Sequence, residues 1–533
     1  MEITGSHLIA GVESRAGVPT FTSVDPRTKT TGTVRFHDAT AAEIDQAAHA
    51  AAAAFEITRH YPPGQIAELL DNVAVAIESL GDQLLETADL ETGLGIPRLT
   101  NERGRTTNQL RAFADLLREG SYVEAIIDTG QPDRQPTPRP DIRRMLLPIG
   151  PAAVFAASNF PFAFSVAGGD TASAWAAGCP VILKAHPGHP ATSELTARAI
   201  NRAIEIARFP AGFFSLIQGQ GIEVGQMLVE HPSVQAVGFT GSLRAGRAIY
   251  ETAARRPTPI PVYAEMGSIN PLVLLPRALE TRAASLADGL VGSVTLGAGQ
   301  FCTNPGLVIV PNVADTDSFI ELVRAKMTER DPGVLLNEHI EAGVKRAVAT
   351  TTTQRAVEVL TGAGDLDGAA AYCYPNTVLR TTDAAFLADP EALQTEHFGP
   401  VTLFVVCDTL ETMQQVIRAL HGHLTATIHA EEDEAELAGQ LYDLLREKAG
   451  RLIWNGYPTG VEVVAAMQHG GPYPATTAPA TTSVGTTAIK RWLRPVAYQN
   501  LPDVLLPEPL QNSNPRGIWR TVDGHLTRDP ITR

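Results

Sequence analysis

Along the chain, apolar positions first recur at helical spacing and then, past residue 150, gather into short solid runs. Up to about residue 120 the pattern predicts mainly helices. Thr40-x-x-Glu43 is a capping box opening an alanine-rich segment. Glycines at 81, 93 and 120 mark helix stops. Pro132, Pro136, Pro138 and Pro140, set among mixed charges, then predict an exposed ribbon or linker. From 151 onward the strand-like runs AAVFAAS, PVILKA, FFSLIQ, VQAVGFT and IPVYAEM are separated by predicted helices at 163–177, 189–207, 221–230 and 242–255. Such alternation predicts parallel strands joined by crossover helices. A second alternating region contains NPLVLL, GLVIV, VTLFVV, LTATIHA and RLIWN. The fold class expected is α/β, with two such units. The late stretch SVGTTAIKRWLRPVAYQN alternates like a strand and is expected to pair with the proline-rich ribbon, within the subunit or between subunits.

One run needs separate treatment. Met145 to Gly169 carries no charge and is long enough to span a bilayer. Pro148, Pro151, Asn159 and Pro161 interrupt it, so it reads instead as a buried strand and turn of an α/β core. The N-terminal MEITGSHLIAGVESRAG lacks the basic and apolar regions of an export signal. With 42 Lys+Arg against 58 Asp+Glu, the formal charge is -16, which argues against nucleic-acid and anionic-membrane partners. Four scattered cysteines, Cys179, Cys302, Cys373 and Cys407, do not make a disulfide framework, and a reducing cytoplasm is the expected location.

Cys302 differs from the other three. It lies in LGAGQFCTNPG, a bed of turn residues at the lip of a strand, where glycines allow close approach of a substrate. A thiol there is either a nucleophile or a small buried hydrophobe. Asn159, in ASNFPF after a strand, offers an amide to a developing oxyanion, or simply forms a turn. Glu265 closes the strand VYAE and is a candidate general base with a raised pKa, or a carboxylate satisfied by the turn. Lys184 ends the strand VILK and suits ribose hydroxyls or a phosphate. Gly241-Ser242 open a helix whose free N–H groups suit a pyrophosphate. The spacing there is not the G-x-G-x-x-G fingerprint.

Taken in order, these motifs resemble the aldehyde dehydrogenase superfamily: Phe239–Ser242 matches FTGS, Glu265-Met266-Gly267 matches E-x-G, and Gly299–Cys302 matches G-Q-x-C. EHFGPV, 396–401, adds Glu396 for the nicotinamide ribose and Phe398 for ring stacking. Within the superfamily, SNFPFAFSVAGGDTASAWAAGCPVILKAHPGHP, EMGSINP, TLGAGQFCTNPGLV, NGYPTGVEV and HGGPYPATT are similar to α-ketoglutaric semialdehyde (2,5-dioxopentanoate) dehydrogenases. A long-chain aldehyde dehydrogenase of luminous bacteria shares several of them. The resemblance implies two Rossmann-like α/β domains with parallel sheets plus a small β oligomerisation ribbon. The implied division is 1–127 and 148–261 for dinucleotide binding, 262–480 for catalysis, 128–147 and 481–505 for the ribbon, and 506–533 as an extension. It also implies a homodimer or homotetramer.

The implied chemistry is addition of Cys302 to an aldehyde, with the oxyanion held by Asn159 and the Cys302 N–H. Oxidation to a thioester and hydrolysis through Glu265 would follow. Lys184, Gly241, Ser242, Gly267, Glu396 and Phe398 would hold the cofactor. NAD-preferring members often carry a glutamate three residues after the lysine, and here that position is Pro187. NADP-preferring relatives supply an arginine where Ile222 stands. The expectation is NADP favoured and NAD tolerated. Counting along the helix that lines the family's substrate tunnel puts Arg105 at its far end, as a carboxylate anchor or a solvated helix arginine; Phe160 is expected beside the substrate.

No metal is expected. His421, His423 and His429 read as histidines of a connection without a zinc-type partner set. The acidic run 431–436 reads as the solvated first turn of a helix. Oxidation of succinate semialdehyde or a fatty aldehyde is the alternative, followed by a non-redox thiol hydrolase. The hydrolase does not require Lys184, Ser242 and Glu396. An inactive binding scaffold would show a lesion at Cys302, Glu265 or Asn159.

Overall fold

A computed structural model describes residues 1–366 and 368–532. Two seven-stranded sheets and one five-stranded sheet organise the chain. In the first, strands run in the order 262–265, 236–240, 152–155, 181–184 and 214–217, all parallel. The N-terminal strands 7–9 and 12–14 finish it antiparallel. The uncharged run from Met145 divides: Met145–Pro148 belongs to the ribbon, while Ala152–Phe155 is core as expected, buried at all four positions in the middle of this sheet. Its crossover helices, Gly169–Ala176, Pro190–Ile206, Ile222–Glu230 and Leu243–Ala254, fall where alternation puts them. The first begins later than expected, because Asn159–Gly168 forms an irregular turn before it.

The second sheet orders 377–382, 401–407, 307–311, 272–274, 423–429 and 449–454 in parallel, with 358–361 antiparallel at one edge. Val262–Glu265 lies in the first sheet, paired with 236–240, so the expected boundary at 262 falls a strand too early. Residues 455–485 return from the second sheet to the first. There Ala475 O accepts the Met266 N–H at 2.8 Å and Thr477 N donates to Ala264 O at 3.1 Å. This return covers the end of the Glu265 strand.

The third sheet is the ribbon. Leu493–Gln499 pairs antiparallel with Ile142–Pro148 within the subunit. The preceding Thr486–Trp492 is a 3-10 helix, so only the later half of that stretch is a strand. Trp492 donates its indole N–H to Ser173 at 2.7 Å, and Arg491 pairs with Asp170 at 2.6 Å, both buried, which fixes the ribbon's base to the first unit. The C-terminal strands 520–522 and 525–527 continue the same sheet beyond 126–128.

Two further expectations change. His423 and His429 begin and end a fully buried strand, so they are core residues and not loop histidines. In the acidic run, Glu434 is buried and accepts the Arg277 N–H at 2.8 Å, so it is more than a solvated turn. No helix among the described residues is long and apolar enough to cross a membrane.

Candidate active site

Cys302 sits where two cavities meet. The turn before it explains how: Gly297, Ala298 and Gly299 all take positive φ (56°, 56° and 71°). At Gly299 a Cβ would lie 2.1 Å from the Gly399 carbonyl oxygen. Only glycine fits there, and the tight passage presents the next residues inward. Asn270 Nδ2 holds the Cys302 carbonyl at 2.8 Å.

The first cavity, of about 510 Å³, lies over the carboxyl ends of the first sheet's strands. Asn159, Phe160, Gly241, Ser242, Glu265, Cys302, Glu396 and Phe398 all line it. Asn159 is buried and donates from Nδ2 to the Gln300 carbonyl at 2.9 Å, leaving its second amide hydrogen. Ser242 caps the helix Leu243–Ala254 by accepting from Ala245 N. The Gly241 N–H is not free as expected, since it donates to Glu265 O at 3.0 Å. Gly267 does not line the cavity directly; a Cβ there would meet Glu396 Oε2 at 2.5 Å. Glu396 accepts from Ser268 N at 3.3 Å, and burial pushes its pKa up to about 7. Lys184 ends its strand outside the cavity wall, two residues before His186, which does line it. Burial lowers the Lys184 pKa to about 8, with Asp38 opposing.

The second cavity, of about 590 Å³, shares Phe160, Phe164 and Cys302 with the first and continues to Arg98, Arg105, Arg451 and Glu462. Arg98 is engaged, donating to the Asn159 carbonyl at 2.8 Å. Arg105 lies over the rings of Phe160 and Phe164, 5.8 and 5.4 Å from their centroids, and forms no ion pair among the described residues. Its Nε is buried without a partner, and burial lowers its pKa. A half-buried guanidinium with no carboxylate paired to it is placed to meet an anion.

On the wall of the second cavity stands His469, which no catalytic sequence motif marks. Its Nε2 is 3.5 Å from Cys302 Sγ and 3.1 Å from Glu265 Oε1. Ser483 donates to the other oxygen of Glu265. Burial pushes the Glu265 pKa up, but the His469 imidazole and the Ser483 hydroxyl outweigh it and leave the carboxylate below its ordinary range. This reverses the raised pKa expected from a strand-end carboxylate considered alone. Burial and the adjacent Glu265 push the Cys302 thiol well up. The resting sulfur is therefore a thiol, with the Glu265 carboxylate and His469 Nε2 both beside it.

A model of the Aldehyde dehydrogenase family matches residues 12–473. An alpha-ketoglutaric semialdehyde dehydrogenase 2 of Azospirillum brasilense is 49% identical, over 98% of this chain and 99% of that one. An alpha-ketoglutaric semialdehyde dehydrogenase of Acinetobacter baylyi is 44% identical over 99% and 100%. Among solved structures, a mutant aldehyde dehydrogenase of Pseudomonas syringae in complex with NAD+ and octanal has a TM-score of 0.78. It is 23% identical and covers 94% of this chain and 97% of that chain. The ordered motifs, the shared fold and these matches agree: the chain belongs to the aldehyde dehydrogenase family.

Proposed function

We propose that the protein oxidises 2,5-dioxopentanoate to 2-oxoglutarate with a nicotinamide dinucleotide, using NADP ahead of NAD. The observation that carries this reading is the position of Cys302, shared by one cavity with cofactor-type groups and another holding the unpaired Arg105. The names of the two full-length relatives support the substrate. The residues present suit a dinucleotide. The half-buried Glu396 carboxylate suits ribose hydroxyls, and it packs over Gly267, where a Cβ would lie 2.5 Å from its Oε2 and displace it. Phe398 suits ring stacking, and Ser242 stands at a helix N-terminus. Lys184 is the cation for the adenosine ribose and its 2′-phosphate. The chemistry such a cofactor supplies is acceptance of a hydride.

The chain's own residues do the rest. The Cys302 proton passes through His469 to the Glu265 carboxylate as Sγ adds to the aldehyde carbon. Asn159 and the Cys302 backbone N–H hold the oxyanion of the thiohemiacetal. Once the adduct is a thioester, Glu265 directs water to it and the acid leaves. Arg105 receives the substrate's distal carboxylate, which its planar fork suits. In the cell we infer a cytoplasmic homodimer or homotetramer built through the ribbon.

The test is steady-state kinetics with NADP or NAD, comparing 2,5-dioxopentanoate, succinate semialdehyde and butanal. Arg105→Ala is expected to raise KM for 2,5-dioxopentanoate by roughly 10–100-fold, the loss of one charge-assisted contact. KM for butanal should stay unchanged. Equal losses on both substrates exclude Arg105 as the anchor, and no reduced cofactor with any of the three aldehydes excludes the reaction.

A further inference from the structure

The geometry points to Cys302, His469 and Glu265 as a reversible Zn²⁺ site, through which this ion inhibits the enzyme by capping its thiol. The inference rests on the proposed role of Cys302 as nucleophile. One donor atom from each residue lies within 4.8 Å of the other two. Sγ and Nε2 are 3.5 Å apart, and Nε2 and Oε1 are 3.1 Å apart. In a tetrahedral zinc centre with bonds of roughly 2.0–2.3 Å, the S···N and N···O edges come to about 3.5 and 3.3 Å. Two of the three edges therefore stand nearly at coordination spacing, and the third, between Sγ and the carboxylate, is within 4.8 Å.

Their chemistry fits as well as their spacing. Thiolate, imidazole and carboxylate form a zinc ligand set, and three protein ligands leave a fourth position open. The open position would face the cavities that Cys302 lines. Binding sends the thiol proton to solvent, and two anionic ligands then neutralise the dication, so the occupied site carries no net charge. Outer contacts already hold the set. Ser483 fixes the second Glu265 oxygen, and its hydroxyl also reaches the His469 carbonyl at 3.1 Å. The His469 backbone N–H donates to Thr482 at 2.8 Å, which fixes the residue's position, while its ring Nδ1 has no partner among the described residues. The bond on Glu265 is of the supporting kind that raises metal affinity.

A second group on the surface provides a control. Asp45, His49 and His231 also lie within 4.8 Å of one another, but Asp45 and His49 are exposed and no sulfur is present.

The experiment treats the whole chain with chelator and titrates it with Co²⁺, whose bonds to thiolate give a near-ultraviolet charge-transfer band. A band saturating at one equivalent is expected, displaced by Zn²⁺ and absent in Cys302→Ser. His469→Gln should weaken binding by at least the ~100-fold that loss of an outer contact alone can cause. In the wild type, Zn²⁺ should inhibit competitively with aldehyde, and EDTA should restore full rate. The double variant Asp45→Asn, His231→Asn should keep both band and inhibition. Cobalt bound without a band, a band surviving Cys302→Ser, or inhibition lost in the surface variant overturns the proposal. Oxidation of aldehyde measured in EDTA reports separately on the proposed reaction, and the cobalt spectrum does not depend on it.

Discussion

The thiol of Cys302 is held protonated by burial and by Glu265, and His469 Nε2 lies 3.5 Å from its sulfur. If His469 relays that proton to Glu265, His469→Ala should lower kcat/KM by roughly 10²–10³-fold, the usual weight of a positioned acid–base group. Iodoacetamide should also alkylate Cys302 more slowly in that variant. An unchanged alkylation rate would assign the histidine to packing. Lys184 gives a second prediction. Its pKa is lowered to about 8 by burial, so its positive charge is present below that pH and lost above it. The kcat/KM for NADP, which reports the free enzyme, should therefore fall as pH rises through about 8. The value for NAD, lacking the 2′-phosphate, should fall less, and parallel profiles would remove Lys184 from phosphate recognition. At this scale the sequence was informative where a residue's neighbours in the chain carry its meaning, as in FTGS or GQFC. His469 was not legible: it follows Cys302 by 167 residues, and a long return segment makes the contact. Its stretch, HGGPYPATT, stood out as family-like without indicating which side chain would reach the sulfur. The direction of the Glu265 shift was missed for the same reason, since both opposing groups, His469 and Ser483, arrive on that segment.

Elements were more legible than their attachments. The capping box at Thr40 and Glu43 forms as its spacing indicates, because both partners are local. The structure adds what local pattern could not contain. Glu43 Oε1 also accepts from Ser14 Oγ and from Ala16 N at 3.0 Å, tying the helix Ala41–Thr58 to the N-terminal hairpin. Although burial pushes its pKa up, these bonds and those from Thr40 bring it from 4.5 down to about 2. A folded value below the unfolded one means stability present in full above 4.5 and lost as pH falls through about 2. Glu43→Gln should lower stability at neutral pH by roughly 1–2 kcal/mol, allowing for solvent screening. Urea midpoints of wild type and variant should converge on acidification, and a gap that stays constant would show that the charge contributes nothing. The crossover helices follow the same rule: their existence and order came from alternation, whereas the first one's start depended on the turn that holds Asn159.

For the whole molecule, most strands of the two parallel sheets are legible as apolar runs; Thr377–Thr382, half threonine and carrying Arg380, is not, and neither are the C-terminal 28 residues, which are interrupted by prolines. They nevertheless complete the ribbon. Leu506, Leu510 and Ile518 are buried with Val123, Ala125, Ile127 and Met145 in a separate small core. Arg520 is buried, with Asn512 O at 2.9 Å and Asp529 O at 3.2 Å. Arg143, also buried, reaches Asn512 Oδ1 at 2.9 Å. Strand 520–522 covers the edge of 126–128, which would otherwise present unpaired backbone groups. Deleting 506–533 removes three apolar side chains worth on the order of 2 kcal/mol each. It also leaves Arg143 without the Leu510 and Asn512 acceptors. The truncated chain should melt earlier and self-associate through the uncovered edge, read by calorimetry and by size-exclusion with light scattering. No described residue of the extension lines either cavity beside Cys302, so the protein that remains dispersed should keep its kcat at low temperature. An unchanged melting profile would mean that the small core is held without the extension. A lost kcat in dispersed protein would mean that the ribbon supports the catalytic turn, through the buried Arg491–Asp170 pair at its base.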